Sequence, residues 1–408
     1  MNPELLKSQI GRLRGIFALL LAVMLCIHHA VGVELPTWMV SAMSLGLLCM
    51  CVQRKMQTSL PLGLFLAWLF VCLILHPGNH FHENQLRFLA LTVGLLTFSP
   101  LLSSSCLNRT RLFLLRCIII TMGVLVVLSS VIWLYSLTLS PDQQTVFYHY
   151  GFSGAFNLGF SLASSAALTG LVSLFVILST SRKSYKVWSG MLLLISCICM
   201  IAGASRMVLA SFAVSAAVMC IIKFRTLKSL LRNRKVLVCG GVAILVLAVS
   251  LPFADKTLTK KITFGNQYGQ TYTRHTLWQS RLSEITSSPW TGVGYANEPV
   301  RLKDPVLYIG YQKNEPGSSW LSVASYAGLT GAALFLWYIV TVVIALRRNR
   351  RRKDFALQLA LFLFLCMYAT TEGWLLYPGA LMFPVFWLVC SLIRSERWLP
   401  REDTYLSV

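Results

Sequence analysis

The stretch "IAGASRMVLASF", residues 201–212, sets Arg206 between two runs that are each apolar enough to lie in lipid. A charged side chain at membrane depth costs about 3 kcal/mol or more, so it usually faces a protein interior or a water-filled cavity and marks a pathway or site. The plain alternative is that Arg206 caps a tight turn and snorkels into the headgroups; the local residues support both readings. Two further arginines, Arg274 and Arg281, stand seven residues apart in "RHTLWQSRLSEITSSPWTGVGY", nearly two full helical turns, so a helix carries both on one stripe. Three guanidinium groups on one face could share an anion, and their forks suit phosphate oxygens in a bidentate way that lysine does not match. A pyrophosphate on a lipid carrier would sit at that depth. A surface helix with solvated arginines is the competing reading. Carboxylates on the same face are Glu315 and, in "ATTEGW", Glu372, which could pair with an arginine or cap a helix end.

Those residues depend on the elements around them, and composition fixes the class of those elements. Of 408 residues 56% are hydrophobic and only 12% charged, with a mean hydropathy of +0.67. This describes an all-α polytopic membrane protein without a large water-facing domain. Apolar runs of spanning length fall near residues 15–34, 37–52, 59–76, 86–105, 112–138, 157–180, 187–204, 207–222, 236–254, 318–346, 355–372 and 378–394, about twelve transmembrane helices. The second and eighth are short, which the spanning range permits with thinned bilayer or snorkelling flanks.

Charge placement tests that map, because cytoplasmic loops should hold the Lys and Arg. With the N-terminus inside, ten of the 36 basic residues fall outside and 26 inside, including "RRNRRRK" at 347–353. Both termini are then cytoplasmic. The formal charge of +22 follows from membrane orientation and needs no nucleic-acid partner. Residues 1–14 carry Lys7, Arg12 and Arg14 ahead of the first run without a convincing cleavage site, so a retained first helix is expected rather than a cleaved signal peptide. All 12 cysteines sit in or beside the predicted spans, as small buried hydrophobes do. Neither disulfides nor a metal site nor a cofactor is expected.

The chain thus divides into helices 1–5 (1–138), an outer loop (139–156), helices 6–9 (157–254), a large outer loop between helices 9 and 10 (255–317), and helices 10–12 with a cytoplasmic tail (318–408). A structureless connection of that length is unusual, so the large loop should carry its own helices and a function. Its eight basic residues exceed its five acidic ones on the side where basic residues are normally scarce. Trp278, Leu282 and Ile285 recur at helical spacing, and Ser287, Ser288 and Pro289 stop the helix. Such a helix could rest in the interface with its aromatic face in lipid. "GVGY" at 292–295 permits a sharp turn, but no strand precedes it and it is not a nucleotide fingerprint.

Taken in order, these motifs resemble those of the O-antigen ligase and O-antigen polymerase superfamily. "GASRMVLASF" is similar to the family's "GSRG" or "SRT" helix start. "YTRHTLWQSRLSEITSSPWTGVGYAN" is similar to its outer-loop "R…W…P…G.G" segment, "SSWLSVASYAGLTGAALFL" to its "HNSYL…GLLG", and, more loosely, "FSGAFNLGFSLAS" to its "G.F.NPN..A". The match covers about residues 150–340. It implies a GT-C-like, metal-independent glycosyltransferase of a bacterial inner membrane, with the active site facing the periplasm. The implied donor is an undecaprenyl-pyrophosphate-linked glycan and the acceptor a second glycan, with a chain-length regulator as a possible partner besides the bilayer. The family's pyrophosphate-binding arginines carry over to Arg206 and Arg274, and Arg281 is a third candidate. A histidine often opens the third motif; here Gly317 holds that place, and Glu315 is the nearest titratable residue.

Glu315 is therefore the leading candidate for the general base, a rim carboxylate its plainer reading, and the departure favours polymerase over ligase. His149 and His275 are alternatives on the outer face, while His28 and His29 are expected as buried polar contacts. Tyr148 and Tyr150, beside Phe147, could stack on sugar rings or belong to an aromatic interface belt. The rival class is a lipid-glycan flippase or other transporter. It would place charges near the midplane of two related halves, whereas here they gather at one face and no repeat is evident. A non-catalytic scaffold would leave the large loop without a purpose, and would tolerate Arg274→Ala.

Overall fold

The structure, a computed structural model, describes residues 3–30, 33, 36–53, 56–77, 81–136, 138, 152–224, 270–296 and 317–395. Twelve α-helices lie within them: α1 (Pro3–Ile27), α2 (Thr37–Cys49), α3 (Leu60–Leu75), α4 (Phe81–Phe98), α5 (Ser105–Ser136), α6 (Gly159–Ser179), α7 (Lys183–Ala202), α8 (Arg206–Phe224), α9 (Gln270–Ser287), α10 (Ser319–Arg348), α11 (Phe355–Tyr368) and α12 (Met382–Arg394). One antiparallel pair of two-residue strands, β1 (Gln57–Thr58) and β2 (Leu102–Ser103), joins the start of α3 to the α4–α5 connection. The protein is an all-α membrane protein by this architecture, and five described helices, α5, α6, α7, α8 and α10, are long and apolar enough to cross a bilayer.

Eleven of the twelve apolar runs coincide with or overlap a helix, and the run 236–254 lies outside the described residues. The helices depart from the runs where an apolar stretch is buried without being helical. Residues 369–381, "ATTEGWLLYPGAL", form turns that bury Trp374, Leu375 and Leu376, so α11 stops at Tyr368 and α12 starts only at Met382. Hydropathy sees burial and not conformation; Gly373, Pro378 and Gly379 decide the conformation here. Likewise His28 and His29 sit past the end of α1, half-buried with their rings 5.1 Å apart, and Asn157 donates its N–H to the His29 carbonyl at 2.9 Å.

α12 is the hub. Every residue from Met382 to Ile393 is buried, and the helix packs against α4, α5, α10 and α11, which is what a helix apolar on all sides must do. Arg111 of α5 ties this hub to its neighbours. It is 1% exposed and donates to the carbonyls of Leu96, Thr97 and Leu102 at 2.9, 2.7 and 2.8 Å and to Ser391 Oγ at 3.1 Å. The first two are C-terminal carbonyls of α4 that have no partner within their own helix. Small residues on α6, including Ser161, Ala163, Ser164, Ala166, Ala167 and Gly170, let α7 and α8 approach closely. α8 also lies along α11. Lys223 near the end of α8 donates to the carbonyl of Lys353, just ahead of α11, so the two run antiparallel and Arg206 shares its end of the bundle with the residues that follow α11.

Candidate functional site

Arg206 opens α8 after a turn that the backbone closes by itself. Gly203 N–H reaches Cys199 O at 2.9 Å, Ala204 N–H reaches Ile201 O at 3.0 Å, and Phe152 N–H bonds Ala202 O at 3.1 Å. Ala204 turns the chain with a φ of 50°. The Arg206 side chain is exposed and forms no ion pair among the described residues. A cation in the first helical turn opposes the helix dipole, whereas an anion bound there would be held by both the guanidinium and the unpaired N–H groups.

α9 carries Arg274 and Arg281 seven residues apart, and Arg281 is not solvated. Arg281 is 4% exposed and so is Glu284. The Arg281 guanidinium donates to Glu284 Oε2 at 3.0 Å and to Ser325 Oγ of α10 at 3.4 Å, Ser325 donates to the same carboxylate oxygen, and the guanidinium lies 5.1 Å from the centre of the Tyr326 ring. Burial works against the Arg281 charge, but Tyr326 and Glu284 outweigh it and hold the pKa above the usual guanidinium range. The Arg281 charge, a third candidate for the outer anion, is answered here one helical turn along its own helix. The apolar positions Trp278 and Leu282 are exposed, and the side packed on α10 is the Arg281–Glu284 side. Arg274 and His275, two turns earlier, are described by their backbone alone.

That contact works because α10 is broken. Gly328 has φ 65° and ψ −173° inside an otherwise helical run, which frees three carbonyls, and each one is taken. Ser325 O accepts from Val293 N–H at 2.8 Å, Tyr326 O from Gly294 N–H at 3.2 Å, and Ala327 O from the Trp68 indole at 2.9 Å. Leu329 N–H, past the break, bonds Pro289 O at 2.7 Å. Buried backbone groups that leave a helix must find such partners, and irregular backbone between membrane helices is tolerated where protein surrounds it. The segment after α9 is fastened further by His76 Nε2 to Thr291 Oγ1 at 2.9 Å and by Tyr295, whose phenol donates to Leu376 O at 3.0 Å. Burial, with Tyr326 beside it, pushes the Tyr295 phenol well above its usual range, so it stays a donor.

The start of α10 brings in the remaining candidate. Gly317 has φ 70°, and a Cβ there would lie 2.8 Å from the Cβ of Leu277 on α9; its carbonyl accepts the Trp278 indole at 3.0 Å. Ser319 N–H bonds the Ala369 and Glu372 carbonyls at 2.9 and 3.0 Å, and its hydroxyl bonds Glu372 O at 2.6 Å. Glu372, half-buried, thus sits where α9, α10 and the segment after α11 meet, at the same end of the bundle as Arg206. Glu315, Tyr148, His149 and Tyr150 lie outside the described residues. Reading the sequence missed Glu284, Ser325, Thr291 and His76. Glu284, three residues past Arg281, was visible as a helical ion-pair spacing; the others come from elements far apart in the chain.

A family model described as O-antigen ligase matches residues 191–336, a stretch that runs from within α7 to within α10 and so contains Arg206, all of α9 and the break at Gly328. No curated protein matches the chain.

Proposed function

We propose that this chain, whose residues 191–336 match a family model described as O-antigen ligase, is a glycosyltransferase that polymerises undecaprenyl-pyrophosphate-linked repeat units at the periplasmic face of the inner membrane. An acceptor sugar hydroxyl attacks the anomeric carbon of the donor glycan, the carbon–oxygen bond to the lipid pyrophosphate breaks, and the hydroxyl proton passes to a base. Arg206 and Arg274 hold the departing pyrophosphate by fixed positive charge, and Glu315 takes the proton. The observation that carries this reading is the anchoring of α9, the helix bearing Arg274, to the break in α10 through Arg281, Glu284 and Ser325. A fixed helix holds its charge in place without reorganisation during the reaction.

Gly317 supports a base other than the family's histidine. A side chain at that position would meet Leu277, and its φ of 70° favours glycine. Arg274→Ala is expected to lower transfer by about a hundred-fold, the usual scale for losing one preorganised charge partner, and to weaken donor binding. Glu315→Gln keeps donor binding and abolishes transfer, so lipid-linked donor accumulates in cells. If Glu315→Gln stays active while a change at Glu372, His149 or His275 abolishes transfer, the base is that residue.

The second reading, a ligase that passes the glycan to lipid A core, is favoured by the matched family's description. The lipopolysaccharide gel profile of a deletion strain separates them. Loss of the glycan ladder beyond one repeat unit on lipid A core supports the polymerase, and loss of all glycan from the core supports the ligase.

A further inference from the structure

At the end of the bundle opposite the site, the last turn of α10, the short 3-10 turn Asn349–Arg351 and the start of α11 border an open surface cavity of about 260 Å3, lined by Val343, Leu346, Arg347, Arg350, Phe355 and Leu359. The turn that shapes it is firmly held. Asn349 is fully buried, and its amide donates to Gln358 Oε1 at 3.1 Å and to Ile393 O at 2.9 Å. The carboxylate of the turn is already engaged, since Asp354 accepts from Arg352 at 3.2 Å and from Gln358 at 2.8 Å. Arg347 and Arg350 are exposed and, among the described residues, have no ion pair. Attraction to the C-terminal carbonyls of α10 accounts for one arginine in its last turn. It does not account for Arg350, which lies beyond the helix.

The apolar wall of this cavity continues. Leu336, Val340 and Val343 lie on the same stripe of α10 as Arg347, and they are 61%, 45% and 40% exposed, in a helix long and apolar enough to cross a membrane. A strip that is greasy along its length and ends in two guanidinium groups is complementary in shape and charge to an acyl chain below a phosphate.

We propose that this cavity binds the headgroup of an anionic phospholipid, with the phosphodiester between Arg347 and Arg350 and one acyl chain along Val343, Val340 and Leu336. The assignment is independent of glycan transfer. Guanidinium forks bind phosphate oxygens, and basic pockets between membrane helices take anionic headgroups.

The test uses the full chain, purified in detergent and examined by native mass spectrometry with phosphatidylglycerol or phosphatidylcholine added. One phosphatidylglycerol should be retained by the native protein and by the matched control Arg348→Gln/Arg351→Gln. Retention should fall about twenty-fold in Arg347→Gln/Arg350→Gln, as expected for two basic contacts to a lipid headgroup. Equal retention by the two double variants, or equal retention of phosphatidylcholine, overturns the proposal.

Discussion

Arg281 and Glu284 decide more about the site than their distance from any substrate suggests. Each is nearly inaccessible, and each answers the other's charge, so removing one strands the other. Arg281→Ala or Glu284→Ala should therefore cost about 3–5 kcal/mol, the scale of breaking a buried pair, read as a fall in thermal unfolding temperature in detergent. Arg281→Met/Glu284→Leu, which removes both charges, should cost clearly less than either single change. A double variant as damaged as the singles would show that the charges themselves are needed. Arg206 makes a different prediction. Lysine keeps its charge and loses its fork, so Arg206→Lys should reduce glycan yield at equal expression; unchanged glycan length and amount would return Arg206 to a role in its turn. The sequence pointed to Arg206 because a lone charge between apolar runs is conspicuous. The partners of Arg281 were not legible, because helical spacing marks which residues share a stripe and cannot say whether that stripe meets water or another helix.

At the scale of elements, the break in α10 is the feature that hydropathy could not show. "SYAGLTGAALFL" reads as uninterrupted apolar helix, and only the backbone at Gly328 reveals that the helix stops and restarts. Gly328→Ala should force that backbone into a conformation costing about 1–3 kcal/mol, before counting the approach of the new Cβ to Gly292 N at 2.7 Å. Amide hydrogen exchange should then rise at Val293, Gly294 and Leu329, whose N–H groups hold the break closed; unchanged protection at all three would show that α10 tolerates the side chain. Arg111 plays the matching role at the opposite end. Arg111→Ala leaves α4 carbonyls unanswered beside the hub helix, so it should destabilise the fold by a few kcal/mol, about 1–3 for each buried group left bare. The role of Arg111 was not legible in the sequence, since a guanidinium that bonds backbone carbonyls leaves no partner residue to recognise.

For the whole molecule, most of the helical plan was legible because lipid allows few solutions. The bilayer sets span length, the backbone must bond to itself, and Lys and Arg sort by side. Arginine-rich residues 347–353 and Arg206 do fall at opposite ends of the bundle, as the antiparallel packing of α8 on α11 requires. Sidedness gives a direct check. A cysteine placed at Gln267 should be labelled by an impermeant reagent from the periplasmic side, and one at Arg351 only from the cytoplasmic side. The reverse pattern would turn the whole arrangement over. What was not legible is how the parts close on one another, because the contacts that matter most there join residues that the sequence keeps far apart.

That separation has a consequence for how the protein is made. Trp68 meets Ala327 across 259 positions and His76 meets Thr291 across 215. The ribosome delivers α3 and His76 long before either partner exists. Helices α1 to α8 all precede these partners in the chain, and the indole of Trp68 has no carbonyl to meet until synthesis has reached the break in α10. A ribosome-arrested chain ending before Gly328 still lacks the rest of α10, α11 and the hub helix α12, so the bundle closes on itself only while about the last fifth of the chain is being made.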